Sequence, residues 1–328
     1  MLLCSSAVVY TKTPSRISLI LLILQIPPTD LYAGQNLSCG NIKNCLMHKK
    51  VTKLASNSKP VYDSASYRIS AVSELKELGR YRYLLGQLIR RDILTRYKRS
   101  VLGVAWTMLN PLGTMLILSF VFSNFFKSSV PHFPVYILSG LLVWNFFSQG
   151  TNAAISGLVW GGSLLKRIYI PSSVFGVSAI GTALVNLILS LLPLVIVMLV
   201  DGAPFYLSML YLPISILLLT AFSLGFGLFI SSLAVFFPDV AEMYQVLLTA
   251  WLYLTPVIYP ESLISERWLP IYRVNPMYWM VKMFRLPIFE GRIPSWQEFL
   301  PAFAWAVSML VIGWIYFTSK TEEYAYRV

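Results

Sequence analysis

The chain has 328 residues, of which 56% are hydrophobic and only 12% are charged, and its formal net charge at pH 7 is +12. Soluble domains carry about 25% charged residues, so this composition, with a mean hydropathy of +0.66, excludes an ordinary water-soluble fold. The basic residues cluster on one flank of the apolar region, which is the pattern of membrane topology. We therefore expect membrane lipids as partners and no nucleic acid.

Residues 1–46 precede the polar part of the chain and have two interpretations. The apolar run Ile17 to Ile26 is too short to span a membrane and resembles a signal-peptide core that ends near Ala33. The favoured alternative is that translation starts at Met47, because all three cysteines lie upstream of it. Residues 47–74 are polar without a sustained period, which predicts a flexible cytoplasmic tail.

Residues 75–103 are predicted to form a basic amphipathic helix at the membrane interface. Apolar side chains recur there at helical spacing, and the end next to the membrane is crowded with cations. The helix could anchor to anionic headgroups or dock a cytoplasmic partner. Its apolar residues are Leu78, Tyr81, Leu84, Leu85 and Leu88.

Residues 104–328 are predicted to form a six-helix transmembrane domain, which makes the fold an all-α polytopic membrane protein. Each apolar stretch reaches the roughly 20 residues that span about 30 Å of hydrocarbon as a helix. Prolines inside the stretches predict kinks, at Pro111, Pro193, Pro213 and Pro256. The predicted spans are Val104 to Phe126, Pro134 to Trp160, Val174 to Val200, Leu207 to Phe237, Met243 to Tyr259 and Phe299 to Thr318.

The basic flank predicts that both termini are cytoplasmic, because Lys and Arg favour the inside of the membrane and the number of spans is even. The short loop with Lys166 and Arg167 then also lies inside. One segment disagrees: residues 260–298 would be external although they are rich in cations. We keep this orientation because the first helix usually dominates topology.

No reaction centre is evident in the sequence. There are two histidines and no cysteine after Cys45, so metal ligands are scarce, and no phosphate-binding loop occurs. The spans also lack the buried charges that ion-coupled transporters use. We expect a transport subunit, not an enzyme, with no cofactor of its own. A polytopic glycosyltransferase or acyltransferase would have only Asp92, Asp239 and Glu242 to work with.

Two groups of side chains are candidates for contact with a transported molecule. Aromatic residues in the spans either pack in the core and at the interfaces or line a pathway that suits sugar rings, namely Trp144, Phe147, Trp251 and Tyr253. Arginines beside the membrane could form bidentate contacts to the diphosphate of a lipid-linked substrate, namely Arg90, Arg91, Arg96 and Arg99.

Several short motifs occur in order along the chain, namely Arg91-Asp92, residues 96–103 (RYKRSVLG), Trp106, Asn110-Pro111, Ser139-Gly140-Leu141, Leu165-Lys166-Arg167, residues 255–259 (TPVIY) and Asn275-Pro276. In this order they resemble ABC-2 type permeases that export polysaccharides and teichoic acids. Residues 237–240 (FPDV) stand where the family has Phe-Arg-Asp-Val. Pro238 thus replaces a cation, whereas Asp239 is retained. The resemblance covers the chain from about Leu75 onward.

The resemblance implies a homodimer that works with two copies of a separate nucleotide-binding ATPase subunit, which carries the ATP and Mg. It implies a cytoplasmic coupling loop at residues 163–173, with Lys166, Arg167, Ile168 and Tyr169 as contacts together with Asp239, and an external gate segment at residues 260–298. The implied substrate is a lipid-linked glycan of the O-antigen (lipopolysaccharide), capsule or teichoic acid type, exported across a bacterial or archaeal cytoplasmic membrane. A lipid or drug permease of the same architecture is the alternative.

Overall fold

The computed structural model of the chain describes residues 71–98, 103, 105–126, 130–165 and 170–327. The chain divides into two compact units, Met1–Ser66 and Tyr67–Val328, and the described residues all belong to the second. The predictions for residues 1–46 and for most of the tail 47–74 lie outside the described residues.

The described part of the chain is helical and contains no strand. We number its α-helices in chain order; a 3₁₀ helix (Leu207–Tyr211) leads into α6, a second one (Glu261–Leu263) follows α7, and a π turn (Leu286–Glu290) follows α9. The helices are α1 (Ala71–Arg80), α2 (Arg82–Tyr97), α3 (Ala105–Phe126), α4 (Phe133–Leu165), α5 (Ser173–Asp201), α6 (Leu212–Phe236), α7 (Asp239–Leu254), α8 (Leu269–Val274), α9 (Pro276–Arg285), α10 (Trp296–Ser319) and α11 (Thr321–Arg327).

Among the described residues, four segments are long and apolar enough to cross a membrane, judged by length and composition alone. They are Ala105–Phe122, Ser173–Asp201, Leu207–Phe236 and Trp296–Ser319. Helices α4 and α7 occupy the other two predicted spans but do not reach this standard. Helix α7 has only 16 residues, fewer than the roughly 20 that a perpendicular span needs. Helix α4 has 33 residues, but amide and hydroxyl side chains lower its hydropathy.

The four prolines behave in two different ways. Pro111 and Pro193 lie inside α3 and α5, as predicted. Pro213 lies in the first turn of α6, where its missing N–H costs nothing. Pro256 follows the end of α7, and Thr255 before it is extended, as expected for a residue that precedes proline. The helix of the fifth predicted span therefore ends at Leu254 rather than at Tyr259.

The predicted interface helix is two helices. α1 begins at Ala71, four residues before the predicted start, and a break at Tyr81 separates it from α2. The predicted apolar side chains are buried or half-buried, whereas Arg82, Arg90 and Arg91 are exposed. Helix α2 packs along α5.

Close backbone contact joins α6 to α10. A Cβ atom added to Gly313 would lie 1.9 Å from the carbonyl oxygen of Gly225, and one added to Gly225 would lie 2.3 Å from the carbonyl oxygen of Met309. Small residues allow helices in membranes to approach this closely and to gain van der Waals contact. The two glycines therefore fix where α6 and α10 cross.

The ends of the helices form two groups. At one end, the N-terminus of α5 contacts α1, and Tyr324 of α11 donates a hydrogen bond to Ser232 of α6 over 2.7 Å. At the other end, His132 before α4 lies 2.8 Å from the Asp201 carboxylate of α5, and Ser208 donates to the carbonyl of Pro287. We call these the α1 end and the Asp201 end.

We predict that Gly225→Ala destabilises the protein by about 1–3 kcal/mol, the usual cost of overpacking, because its Cβ would meet the backbone of α10. The control is Gly227→Ala in the same helix, where the nearest atom to an added Cβ is the Ala154 methyl group at 3.4 Å. The measurement is the thermal unfolding midpoint in lipid nanodiscs. Equal midpoints for the two variants would contradict the predicted crossing.

Candidate functional site

A buried carboxylate links three elements at the α1 end. Glu74 of α1 is only 1% exposed. Its carboxylate accepts hydrogen bonds of 3.4 Å from the Ser173 backbone N–H, in the first turn of α5, and from the Thr321 hydroxyl of α11. Burial raises its pKa, because the charged form loses water. Glu74 therefore ties the start of α5, at the last residue of the predicted coupling loop, to both ends of the described chain.

The predicted coupling residues are only partly within the described residues. Lys166, Arg167, Ile168 and Tyr169 lie outside them. Asp239 is exposed in the first turn of α7, where a negative charge favours the helix N-terminus. The turn between α6 and α7 borders a recess of about 530 Å³ that also includes Trp160 near the end of α4 and Arg327 of α11. Asp239 and the end of α4 thus lie at the same end of the bundle.

Two of the four predicted lipid-carrier arginines lie together. Arg90 and Arg91 of α2 border an open recess of about 710 Å³ with Lys98, and we call this the basic recess. The Arg91 guanidinium donates to the Asp92 carboxylate over 2.9 Å, which neutralises part of its charge. The Arg96 side chain and the whole of Arg99 are not among the described parts of the structure. The recess can attract an anionic headgroup or phosphate.

Three of the four predicted pathway aromatics belong to one cluster between α4, α6 and α7. Trp144 lies 6.4 Å from Trp251, and Phe147 lies 5.3 Å from Trp251 and 5.7 Å from Phe222, between ring centroids. Phe147 is fully buried and Trp144 is 6% exposed. In this arrangement these rings pack against protein, so their role in a pathway stays a prediction. Tyr253 is different, because it is 64% exposed.

The cations of residues 260–298, which disagreed with the predicted orientation, are largely satisfied locally. Arg292 donates to the Glu298 carboxylate with both terminal nitrogens at 2.8 Å and to Glu290 at 2.7 Å. Lys282 lies 3.3 Å from Glu261 and 3.6 Å from Glu298. Each of these two cations thus has a carboxylate partner within the segment.

Arg285 is a buried cation that holds the segment after α7 against α4. Its guanidinium donates to the carbonyls of Pro256 and Val257 at 3.0 and 2.9 Å and to the Tyr136 hydroxyl at 2.7 Å. It also lies 3.7 Å from the centre of the Tyr136 ring. The carbonyls next to Pro256 have lost their helical partners, and Arg285 supplies the donors. Gly140 makes room, since an added Cβ would lie 2.4 Å from the guanidinium.

The sequence analysis missed Glu74, Arg285 and a polar face of α4. The roles of Glu74 and Arg285 depend on tertiary contacts that no local pattern contains. The polar face had a signal in the sequence, because Asn145, Gln149, Asn152 and Ser156 recur at spacings of four, three and four, which places them on one side of a helix. Asn152 accepts a 2.6 Å hydrogen bond from Gln245 of α7.

A family model for ABC-2 type transporters matches residues 83–289. The chain belongs to this family. The transporter is 32% identical to an O-antigen export system permease protein, RfbA, of Myxococcus xanthus, over 76% of its own length and 97% of that protein. It is 23% identical to the protein of that name from Klebsiella pneumoniae, over 74% and 93% of the two chains. A polysialic acid transport protein, KpsM, of Escherichia coli is 24% identical over 72% and 92%.

The family match confirms the predicted resemblance to ABC-2 type permeases and the prediction that the transporter is embedded in a membrane. The matched region runs from α2 to the π turn after α9 and contains the basic recess, the aromatic cluster and Arg285. These three features therefore belong to the matched transporter domain.

We predict that Arg285→Met destabilises the transporter by about 2–5 kcal/mol, because several buried acceptors lose their donor at once. The control is Arg267→Met, which removes an exposed cation from the same segment. Thermal unfolding in nanodiscs measures both. A midpoint for Arg285→Met equal to that of the control would contradict the structural role of this guanidinium.

We predict that Glu74 makes the transporter less stable as the pH rises. The pKa of Glu74 is raised from 4.5 by burial, so its protonated form is favoured on folding. Its stabilising contribution is complete below about pH 4.5, the unfolded value, and is lost as the pH rises through the higher folded-state pKa. Glu74→Gln, which stays neutral, should flatten this dependence and raise the unfolding midpoint at pH 7.

The control for Glu74→Gln is Glu266→Gln, an exposed carboxylate in the segment after α7, which should keep the wild-type pH profile. If the Glu74→Gln profile also matched the wild type, the carboxylate would not be desolvated as described.

Proposed function

We propose that the transporter is the permease subunit of an ATP-driven exporter that moves a lipid-linked polysaccharide, of the O-antigen, capsule or teichoic acid type, across the cytoplasmic membrane. The observation that carries the proposal is the 32% identity to an O-antigen export permease over 97% of that relative. Two further relatives, which are named for O-antigen export and polysialic acid transport, match over similar lengths.

Six spans are proposed, formed by α3, α4, α5, α6, α7 and α10. The grouping of helix ends supports this number, because α1 and α11 meet at the same end of the bundle, as an even number of spans requires. Helix α7 can serve as a short span if the extended segment from Thr255 to Tyr259 completes the crossing inside protein, where Arg285 satisfies its carbonyls.

The α1 end is proposed to be cytoplasmic, with both termini on that side. The basic side chains of α1 and α2 support this orientation, because Lys and Arg near the first span favour the cytoplasmic side. Helix α2 would then lie at the membrane interface, with its exposed arginines toward the anionic headgroups.

The energy is proposed to come from a separate ATPase subunit that binds ATP and Mg, with two copies of each chain in the complex. The loop after α4, with Lys166, Arg167, Ile168 and Tyr169, would contact that subunit together with Asp239. Glu74 would transmit movement of this loop, because it contacts the first turn of α5 directly. Nucleotide binding would shift the population of helix arrangements by its differential affinity for them. The permease itself performs no covalent chemistry.

The basic recess is proposed to receive the diphosphate of the lipid carrier through Arg90 and Arg91, with Arg96 and Arg99 nearby along the chain. Charge-assisted hydrogen bonds from guanidinium to phosphate are stronger than neutral ones. The aromatic residues Trp144, Phe147, Trp251 and Tyr253 would support or guide the glycan, the first three only if the helices separate during transport.

Deleting the gene tests the proposed function. We expect surface glycan to be lost and the lipid-linked glycan to accumulate inside the cell, with both restored by the wild-type gene. The double variant Arg90→Ala/Arg91→Ala should restore export at least about tenfold less well, since a charged hydrogen bond contributes about 1.5–3 kcal/mol. Arg82→Ala, on the same helix but outside the basic recess, should restore export fully.

If surface glycan persists in the deletion strain and the lipid or drug profile is altered instead, the substrate is a lipid or a drug and not a glycan. Full export by the double variant, at wild-type protein levels, would remove the basic recess from substrate binding but leave the exporter function intact.

A further inference from the structure

A cavity of about 500 Å³ lies between α3, α4 and α5 and is lined by polar side chains at the depth of the apolar helices. Its polar members are Asn110 of α3, Asn145 and Gln149 of α4, and Asn186 and Ser190 of α5, beside the ring of Trp106. We call this the amide cavity. Its volume falls within the roughly 300–1,000 Å³ of ligand-binding sites.

The amide cavity has hydrogen-bonding capacity that the protein does not use. The Asn186 side chain is 8% exposed, and its carboxamide oxygen accepts no hydrogen bond from any described residue. A buried acceptor without a donor destabilises the fold unless a ligand supplies the missing donor. Elsewhere on the polar face of α4, Asn152 is paired, because its side-chain oxygen accepts a 2.6 Å hydrogen bond from Gln245. The contrast indicates a ligand at the cavity.

The chemistry of the lining selects the ligand class. No Lys, Arg, Asp or Glu lines the cavity among the described residues, so neither a phosphate nor an ammonium group finds a counter-charge. A lipid acyl chain would leave every amide unpaired. Hydroxyl groups of a sugar both donate to and accept from carboxamides, and the 52% exposed indole of Trp106 offers an apolar face for ring C–H groups. A neutral, hydroxyl-rich ring satisfies both kinds of surface.

The polar face of α4 also extends from the amide cavity toward the α1 end of the bundle. Asn145 and Gln149 line the amide cavity, whereas Asn152 and Ser156, one and two turns farther along the same face, line the 530 Å³ recess at the turn between α6 and α7. Both recesses therefore share one continuous row of hydrogen-bonding side chains along α4, which ends at the α1 end.

We propose that the amide cavity is a sugar-binding subsite for neutral units of the transported glycan, with Asn145, Gln149 and Asn186 as hydrogen-bonding residues and Trp106 as the stacking surface. The proposal rests on the proposed polysaccharide export. It separates two tasks: the basic recess binds the anionic carrier, and the amide cavity binds the uncharged sugars that follow.

The test compares export by the wild type and by Asn145→Leu/Gln149→Leu in the deletion strain, together with the amount of protein in the membrane. Leucine suits the apolar surroundings, so we expect normal insertion and at least a tenfold loss of surface glycan. The control is Gln297→Leu, which removes an exposed amide in the first turn of α10, and it should export normally. Wild-type export by the double variant would overturn the subsite while the exporter function stands. No glycan export by the wild type would overturn the proposed function instead.

A binding measurement on the complex with the ATPase subunit in nanodiscs provides a second readout that does not need transport. Gln149→Cys is introduced into a chain whose three natural cysteines are serine, and it is treated with a charged, water-soluble thiol reagent. We expect rapid labelling that slows at least threefold when the lipid-linked glycan of the producing strain is added. Ile188→Cys, exposed on the outer side of α5, should label slowly and without protection. Labelling of Gln149→Cys that the glycan leaves unchanged would overturn the subsite.

Discussion

Hydrocarbon offers no hydrogen-bond partner, and this constraint accounts for most of the polar contacts of the transporter. Inside the bundle, the Thr151 and Tyr244 hydroxyls bond to each other, and Asn275 accepts from the Trp251 indole while it donates to Thr255. Each pair joins two helices, because a polar group at membrane depth lowers the free energy only when its partner is held nearby. The pairs therefore set which helix faces meet.

The same constraint explains the break after α7. Pro256 ends the helix and leaves carbonyls unpaired, and the buried guanidinium of Arg285 bonds to two of them. A cation is thus kept inside the fold without a carboxylate partner, stabilised by carbonyl oxygens and by the Tyr136 ring. The Asn186 oxygen is one of several buried polar atoms without a partner among the described residues, and it is one of these that lines a cavity large enough for a ligand, which is why a sugar is placed there.

The sequence predicted the positions of the membrane helices well where the residues of a single helix are sufficient to define it. The apolar runs of α3, α5, α6 and α10 are visible in the chain, and the helix limits agree within a few residues. The predicted end of the fifth helix was wrong, because a proline that kinks a helix and a proline that ends a helix look alike in sequence. Glu74 was not identified, since its burial depends on α5 and α11, which are distant along the chain. The amide cavity likewise needs side chains from three helices, and only the row on α4 has a local period.

As proposed above, the transporter moves a lipid-linked glycan with energy from ATP. The most direct measurement uses proteoliposomes with the ATPase subunit facing outward, loaded in the outer leaflet with the lipid-linked glycan of the producing strain. The account predicts that ATP makes the glycan resistant to an external glycosidase as it moves inward, and that a non-hydrolysable nucleotide does not. Equal resistance with and without ATP, in vesicles whose complex hydrolyses ATP, would contradict it.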